Sequence, residues 1–530
     1  MGKNLKQVFW RWLPWIIIAF GLIIRFDLYF FNRSLWLDEA FIAVNFIDKS
    51  FWELLQPPLD YSHSILTPLG FLVMAKLSIT LFGNSDFILR LFPFICGIGS
   101  LFLFYYMAKA YISAAAVPLA LFFFAISNCL VYYSSDFKQY SSDVTITIAL
   151  FLLVAYIHTN SLTFKKLSLL SVVGILAVWF SHPAAFILAS IGSYLIIFYW
   201  FNKQWLSMIS IVGVSLIWLV SFIIMYLFTM GGGLETSGIG EYLLHLWVSW
   251  DGFMPSPFSL NGFNWLYNNY FNMFNYPGSL NMVQVAAVMF IVGCIAMLVK
   301  QKTALFLLIF PVFITLVVSS FQKYPFHGRM ILFLLPSFYL IIAEGITQFQ
   351  TKLLALPKVT ISIPIIQVIL VISLIDFPIY SRHNVQEIKP ILKYVQENKL
   401  NTDILYVYHW AEPAFRYYAT NYNFNYNDCN IITPLPKNEW TKEIDYFRNK
   451  QDLQLVTVDE TKCILGNYEG FHQILQQAEL DKLQNHGRVW FIFSHLDEHG
   501  KRTYLNYLDK IGTQIEEFLQ IGTSAYLYKL

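Results

Sequence analysis

The chain has 530 residues, 57% of them hydrophobic and only 13% charged, about half the charged share of a soluble domain. A mean hydropathy of +0.53 marks a polytopic membrane protein, and a net charge of +2 argues against a basic surface for nucleic acid. The five cysteines form no CxxC or Cys/His spacing, so no metal site is expected.

The first apolar stretch follows Lys3, Lys6 and Arg11 and has no small-residue cleavage site after it. It is expected to be an uncleaved transmembrane helix with a cytoplasmic N-terminus. Hydropathic segments at 12–31, 65–82, 87–108, 113–133, 144–159 and 167–182 are followed by others at 184–201, 205–229, 281–299, 303–320, 330–347 and 359–376. These are twelve candidate spans. If all crossed, Asp38 and Asp136 would face opposite sides of the membrane and share no site. The segment 65–82 holds Lys76, starts near Pro68 and lies between Asp60 and Asp86, so it is expected to lie in the interface, leaving eleven spans. The positive-inside rule then separates the loops. Lys109, Lys165, Lys166, Lys203, Lys300, Lys302, Lys352 and Lys358 fall on the cytoplasmic side. Asp38, Glu39, Asp48, Glu53, Asp60, Asp86, Asp136, Asp143, Glu235, Glu241 and Asp251 fall on the other.

This organisation predicts a membrane domain over 1–376, with external loops at 32–86 and 230–280, and a soluble α/β domain over 377–530 outside the cytoplasm. Within that domain 385–399 has the spacing of a helix, with Val385, Ile388, Leu392 and Val395 on one stripe. Short apolar runs at 404–408, 453–458, 489–493 and 525–528 read as buried strands. Cys96, Cys129 and Cys294 read as small buried hydrophobes. Cys429 and Cys463 are able to pair if this region faces an oxidising compartment, but nothing in the sequence brings them together.

Acids at a membrane edge are costly unless solvated, paired or functional. Asp38 and Glu39, in Leu35-Trp36-Leu37-Asp38-Glu39-Ala40, open the first external loop; they suit proton acceptance from an incoming hydroxyl or a solvated helix cap. Asp136, Lys138, Tyr140 and Asp143 follow the next helix that returns to the outside. Helical spacing is expected to put Asp136, Tyr140 and Asp143 on one face, with Lys138 free to reach an anion. Tyr324-Pro325-Phe326-His327-Gly328-Arg329 closes another external loop. Arg329 there suits a phosphate, which guanidinium grips through two parallel hydrogen bonds, or snorkels to ordinary headgroups. His327 and His182 are further cavity-lining candidates, with Tyr140, Asp143 and Tyr324. The loop 230–280 carries Trp247, Trp250, Asp251 and Trp265, whose aromatics serve as interfacial anchors or for sugar stacking. The run Gly231-Gly232-Gly233 lacks a phosphate-loop context.

These motifs together resemble the C-type glycosyltransferases that use polyprenyl-phosphate sugars, such as protein O-mannosyltransferases and aminoarabinose transferases. The run at 35–40 is similar to that family's acidic motif, which implies a catalytic Asp38. Thr67-Pro68-Leu69 resembles the HPPL motif without its histidine and first proline, so that histidine's role does not carry over. Ser135-Asp136-Phe137-Lys138-Gln139-Tyr140 resembles Glu-x-Arg-x-Tyr, with Lys138 where a bidentate arginine would stand. The runs at 324–329 and 406–419 are similar to those of bacterial members.

The resemblance implies sugar transfer from a polyprenyl-phosphate donor to a glycan, lipid or protein hydroxyl among membrane lipids. It also implies a bacterial inner membrane location; because phosphate leaves as a stabilised anion and the sequence shows no ligand cluster, neither a cofactor nor a metal is expected. In that reading Asp38, Glu39 and Asp136 are catalytic, and Arg329 and Lys138 hold the donor phosphate. The competing readings are a transporter or flippase of lipid-linked or small polar substrates, and a polymerase or ligase of undecaprenyl-linked glycans. The acids sit at outer helix ends and no inverted repeat is visible, which counts against transport.

Overall fold

The computed structural model describes residues 2–56, 59, 67–158, 162–229, 239–354, 386–431, 461–466, 477 and 479–530. The expected span at 359–376, the strand at 453–458, and Pro57, Pro58, Asp60 and Gly231 to Gly233 lie outside them.

Eight helices among the described residues are long and apolar enough to cross a membrane: Trp10–Phe31, Leu91–Tyr111, Tyr140–His158, Ala184–Phe201, Trp205–Thr229, Val283–Lys300, Lys302–Ser320 and Gly328–Thr351. The chain is a polytopic helical membrane protein with a sheet-containing C-terminal domain. The last of these spans is the core of its unit, with 94% of its apolar window buried. The expected interfacial segment forms the helix Leu69–Phe82, 14 residues long. At ~1.5 Å per residue that is about 21 Å, short of a hydrocarbon core of about 30 Å.

The expected span 113–133 is broken. Its helix Val117–Ile126 stops at Ser127, whose hydroxyl accepts from the Leu130 N–H and starts a second helix, Asn128–Tyr133. A helix end leaves carbonyls without intrahelical donors. Arg25 of the first helix, fully buried, supplies one: its Nη1 donates to the Ala125 carbonyl at 2.8 Å, and also to the Gly21 carbonyl of its own helix at 3.1 Å.

The chain divides into two compact units, residues 1–31 with 66–379 and residues 32–65 with 380–530. This differs from a boundary at 376 that leaves the whole loop 32–86 in the membrane domain. Hydrogen bonds tie the start of this loop to the C-terminal domain. The Ser34 hydroxyl donates to Glu387 at 2.9 Å, the Leu35 N–H to the Tyr418 hydroxyl at 3.0 Å, and the Lys389 ammonium to the Asn32 carbonyl at 2.6 Å.

The C-terminal unit is built on a six-stranded sheet. Its strands are β1 (Ile404–Val407), β2 (Cys429–Ile431), β3 (Cys463–Leu465), β4 (Arg488–Ser494), β5 (Thr513–Gln520) and β6 (Thr523–Lys529), in the order β2-β3-β1-β4-β6-β5. The first four in that order run parallel, and β6 and β5 complete the sheet antiparallel. Every residue of β1 is buried, and all but the first of β4, as expected of parallel strands covered on both faces. Continuous apolar runs at 404–408, 489–493 and 525–528 anticipate β1, β4 and β6. The edge strand β5, which exposes polar residues alongside Ile515 and Leu519, and the three-residue β2 and β3 are not foreseen. Cys429 and Cys463 sit opposite each other on β2 and β3 and form a disulfide. The predicted helix at 385–399 is Ile388–Asn398, with Ile388, Leu392 and Val395 buried.

Candidate active site

The expected site residues fall in both units. In the C-terminal unit, the loop acids open a seven-residue helix, Leu37–Ala43. Glu39 is fully buried and ion-paired with Arg33 at 2.9 Å; it also accepts the Trp36 N–H at 2.9 Å, half of a capping box. Asp38, one residue earlier, is only half-buried. The helix lies at the carboxyl ends of the parallel strands. Phe41 meets Trp410, just after β1, with ring centroids 6.3 Å apart, and Trp36 meets His495, just after β4, at 4.6 Å. In open parallel sheets this is the end where ligands bind.

His495 sits in the left-handed region at φ +57, an uncommon place for a residue other than glycine. Burial pushes its imidazole down to about 3, while the Asp38 carboxylate pulls the other way. The folded unit therefore keeps His495 neutral where the unfolded chain takes up a proton. Stability from this source is full above pH 6.5 and is lost as pH falls from 6.5 toward 3, by about 2 kcal/mol at pH 5. Melting curves between pH 7.5 and 4.5 are expected to show His495→Gln losing less stability than the parent chain; equal losses would remove this role from His495.

In the helical unit, Asp136 and Lys138 are both buried, in the turn between Asn128–Tyr133 and the helix Tyr140–His158. The Lys138 N–H donates to the Asp136 carbonyl at 2.7 Å. The expectation of one helical face for Asp136, Tyr140 and Asp143 thus holds only for the last two. Ser134, Ser135 and Asp136 favour turns through side-chain bonds to nearby backbone, and the helix starts at Tyr140.

Arg329 comes from the turn that opens the core span. Its guanidinium lies over the Tyr140 ring, 5.5 Å from the centroid. Tyr133 packs on Tyr140 at 4.9 Å and shares a 2.8 Å hydrogen bond with the Tyr276 hydroxyl. Burial and Cys129 raise Tyr276 above its ordinary value; the Tyr133 hydrogen bond and Arg329 lower it, and Asp136 raises it. Asp136, Arg329, Tyr133, Tyr140 and Tyr276 thus form one neighbourhood. Gly328 makes the turn possible: its φ is +50, and a Cβ there would stand 2.6 Å from the Tyr276 ring.

The remaining candidates flank this group. Tyr324 donates to the Met330 carbonyl at 2.8 Å, and burial, with Asp143 and Tyr140 adding, pushes its hydroxyl well up. Asp143 is buried against Ser181, the residue before the half-buried His182. His327 lines a separate cavity with the 250–275 segment. The sequence reading passed over Tyr133, Tyr276, Arg33 and His495. No local signal distinguishes a lone histidine far downstream as the neighbour of Asp38. Among the described residues no group of three or more His, Cys, Asp or Glu side chains is placed to hold a metal.

No family model matches the chain, and no curated protein does. The chain is similar to several solved structures. ArnT from Cupriavidus metallidurans bound to undecaprenyl phosphate aligns over 97% of both chains with a TM-score of 0.56, at 9% identity. The oligosaccharyltransferase AglB from Archaeoglobus fulgidus, in complex with an inhibitory peptide and a dolichol-phosphate, aligns over 98% of this chain and 74% of its own, at 11% identity and a TM-score of 0.48. The ArnT alignment shows that this chain shares the fold of that structure over nearly its whole length.

Proposed function

We infer from this fold that the protein moves one sugar from a polyprenyl-phosphate donor to an acceptor hydroxyl at the outer face of a bacterial inner membrane. The N-terminus is then cytoplasmic, which agrees with the lysine-rich loops on that side. The Cys429–Cys463 disulfide suits an oxidising compartment for the C-terminal domain. The observation that supports the reading most is the Arg329 guanidinium held over Tyr140, with Lys138 and Asp136 buried in the adjoining turn. A cation fixed in an aromatic setting among membrane helices favours a phosphate at headgroup depth, and the ArnT structure that shares this fold holds a polyprenyl phosphate.

In this reaction the anomeric C–O bond to phosphate breaks through an oxocarbenium-like state. The electron pair leaves with the phosphate, whose charge Arg329 and Lys138 stabilise. The acceptor oxygen attacks the opposite face of the sugar and its proton passes to Asp38, so a single displacement inverts the anomeric centre. Phosphate leaves as a stabilised anion, and no metal is called for. Glu39 holds the loop helix through Arg33, and Asp136 sets the local field around Tyr276.

The test is transfer by the full chain in lipid nanodiscs supplied with undecaprenyl-phosphate sugars and a mixture of candidate acceptors. Arg329→Ala is expected to lower kcat/KM about 10²–10³-fold, the scale for loss of one charge-stabilising donor. Arg329→Lys, which keeps the charge without the fork, falls between. Transfer persists in EDTA, and the product shows the inverted anomer by NMR. Full activity in Arg329→Ala would end this assignment.

A further inference from the structure

The segment expected to be a loop at 230–280 contains a helix, Leu260–Asn275, with six asparagines: Asn261, Asn264, Asn268, Asn269, Asn272 and Asn275. Asparagine is a weak helix former, because its amide competes for nearby backbone groups. The helix forms because the Ser259 hydroxyl caps it, accepting from the Gly262 N–H at 3.0 Å, and because Trp265, Met273 and Phe274 bury one face. A second face exposes Leu260, Phe263 and Tyr267.

Five of the asparagines form a third, exposed face. Their spacing of three, four, four and three residues confines them to about a quarter of the circumference. Stability gains nothing from that choice. Each neutral amide offers donors and an acceptor, which matches rows of sugar hydroxyls, whereas a phosphate or an anionic headgroup calls for Lys or Arg.

This face runs into a cavity of about 270 Å³ lined by Trp250, Asp251, Asn268, Asn269, Asn272 and His327, near the lower end of ligand-pocket sizes. The turn at Asp251 is pinned: its φ is +56, its carbonyl accepts the Trp265 indole N–H at 2.8 Å, and the Gly252 N–H donates to the Trp247 carbonyl at 2.8 Å. Trp250 is half exposed and braced edge-on by Trp247, with centroids 5.4 Å apart. Burial holds His327 below its ordinary value against the pull of Asp251. A second cavity of about 140 Å³ continues past Asn272 and Asn275 to Tyr276 and Gly328, the residue before Arg329.

We propose that this asparagine face and its cavity bind an oligosaccharide, with hydroxyls paired to Asn268, Asn269, Asn272 and Asp251 and one ring stacked on Trp250. The stripe from Asn261 to Asn275 is about 21 Å long at ~1.5 Å per residue, longer than a single sugar. Its role as substrate site rests on the transfer reading, because the cavity leads to the residue beside Arg329. The same chemistry serves a free acceptor glycan and a lipid-linked one.

The experiment probes the detergent-solubilised full chain, without donor, against an array of defined monosaccharides to hexasaccharides. Each is presented both free and linked to undecaprenyl diphosphate. At least one chain of three or more sugars is expected to bind, and Asn268→Ala/Asn272→Ala to weaken it about tenfold or more. That variant is expected to melt at or above the parent temperature, since alanine favours the helix; Trp250→Ala weakens the same ligand. Binding of the free form identifies an acceptor, and binding of the linked form alone a lipid-carried chain. The proposal falls if every sugar binds parent and double variant equally, or if random peptides displace the ligand. Since no transfer is read, failure of the phosphate assignment in Arg329→Ala leaves this result independent.

Discussion

Asp38→Asn is expected to lower kcat for sugar transfer about 10²–10⁴-fold, the usual worth of a positioned general base, with little change in melting temperature. Asparagine has nearly the shape of aspartate but does not take up a proton at neutral pH. Asp38 is the accessible acid of its pair: it is half-buried and faces His495, at the carboxyl end of the parallel strands. A transfer assay in nanodiscs read beside a melting curve tests this directly. Unchanged kcat in a folded Asp38→Asn protein would remove the base from this position.

Glu39→Ala is expected to act in the opposite way, through the fold. Its carboxylate and Arg33 are both buried and 2.9 Å apart, so deleting it breaks a buried ion pair from one side, a loss of about 3–5 kcal/mol. The Trp36 N–H loses its acceptor as well, adding about 0.5–2 kcal/mol as for a lost cap. Because this helix belongs to the C-terminal unit, the melting transition of that unit shifts down. Arg33→Met combined with Glu39→Leu is expected to recover much of the loss, since apolar residues of similar size often replace a buried pair without penalty. If Glu39→Ala melts normally and only transfer is lost, Glu39 belongs to the chemistry and not to the scaffold.

The two acids differ because of partners that lie beyond sequence adjacency. The sequence marks 38 and 39 as an acidic pair and gives no reason to divide their roles; Arg33 and the Trp36 N–H do so by burying one of them. Asp136 shows the same limit. Its spacing from Tyr140 fits a helix, yet preferences of Ser134 and Ser135 for turns prevail and the helix starts later. The asparagine-rich segment errs in the other direction. Its composition favours loop, and the helix exists because a cap and buried aromatics outweigh weak propensity.

Hydropathy, charge asymmetry between loops and short apolar runs by themselves determined a polytopic membrane protein with an α/β domain at its C-terminus. Those properties are sums over neighbouring residues, and burial in lipid or in a sheet responds to such sums. Tertiary structure alone decided that Arg25 serves the broken helix at Ala125, that His495 faces Asp38, that Arg329 rests on Tyr140, and that Cys429 meets Cys463. Each depends on two side chains far apart in the chain coming within a few ångströms, where desolvation and hydrogen-bond geometry set the outcome.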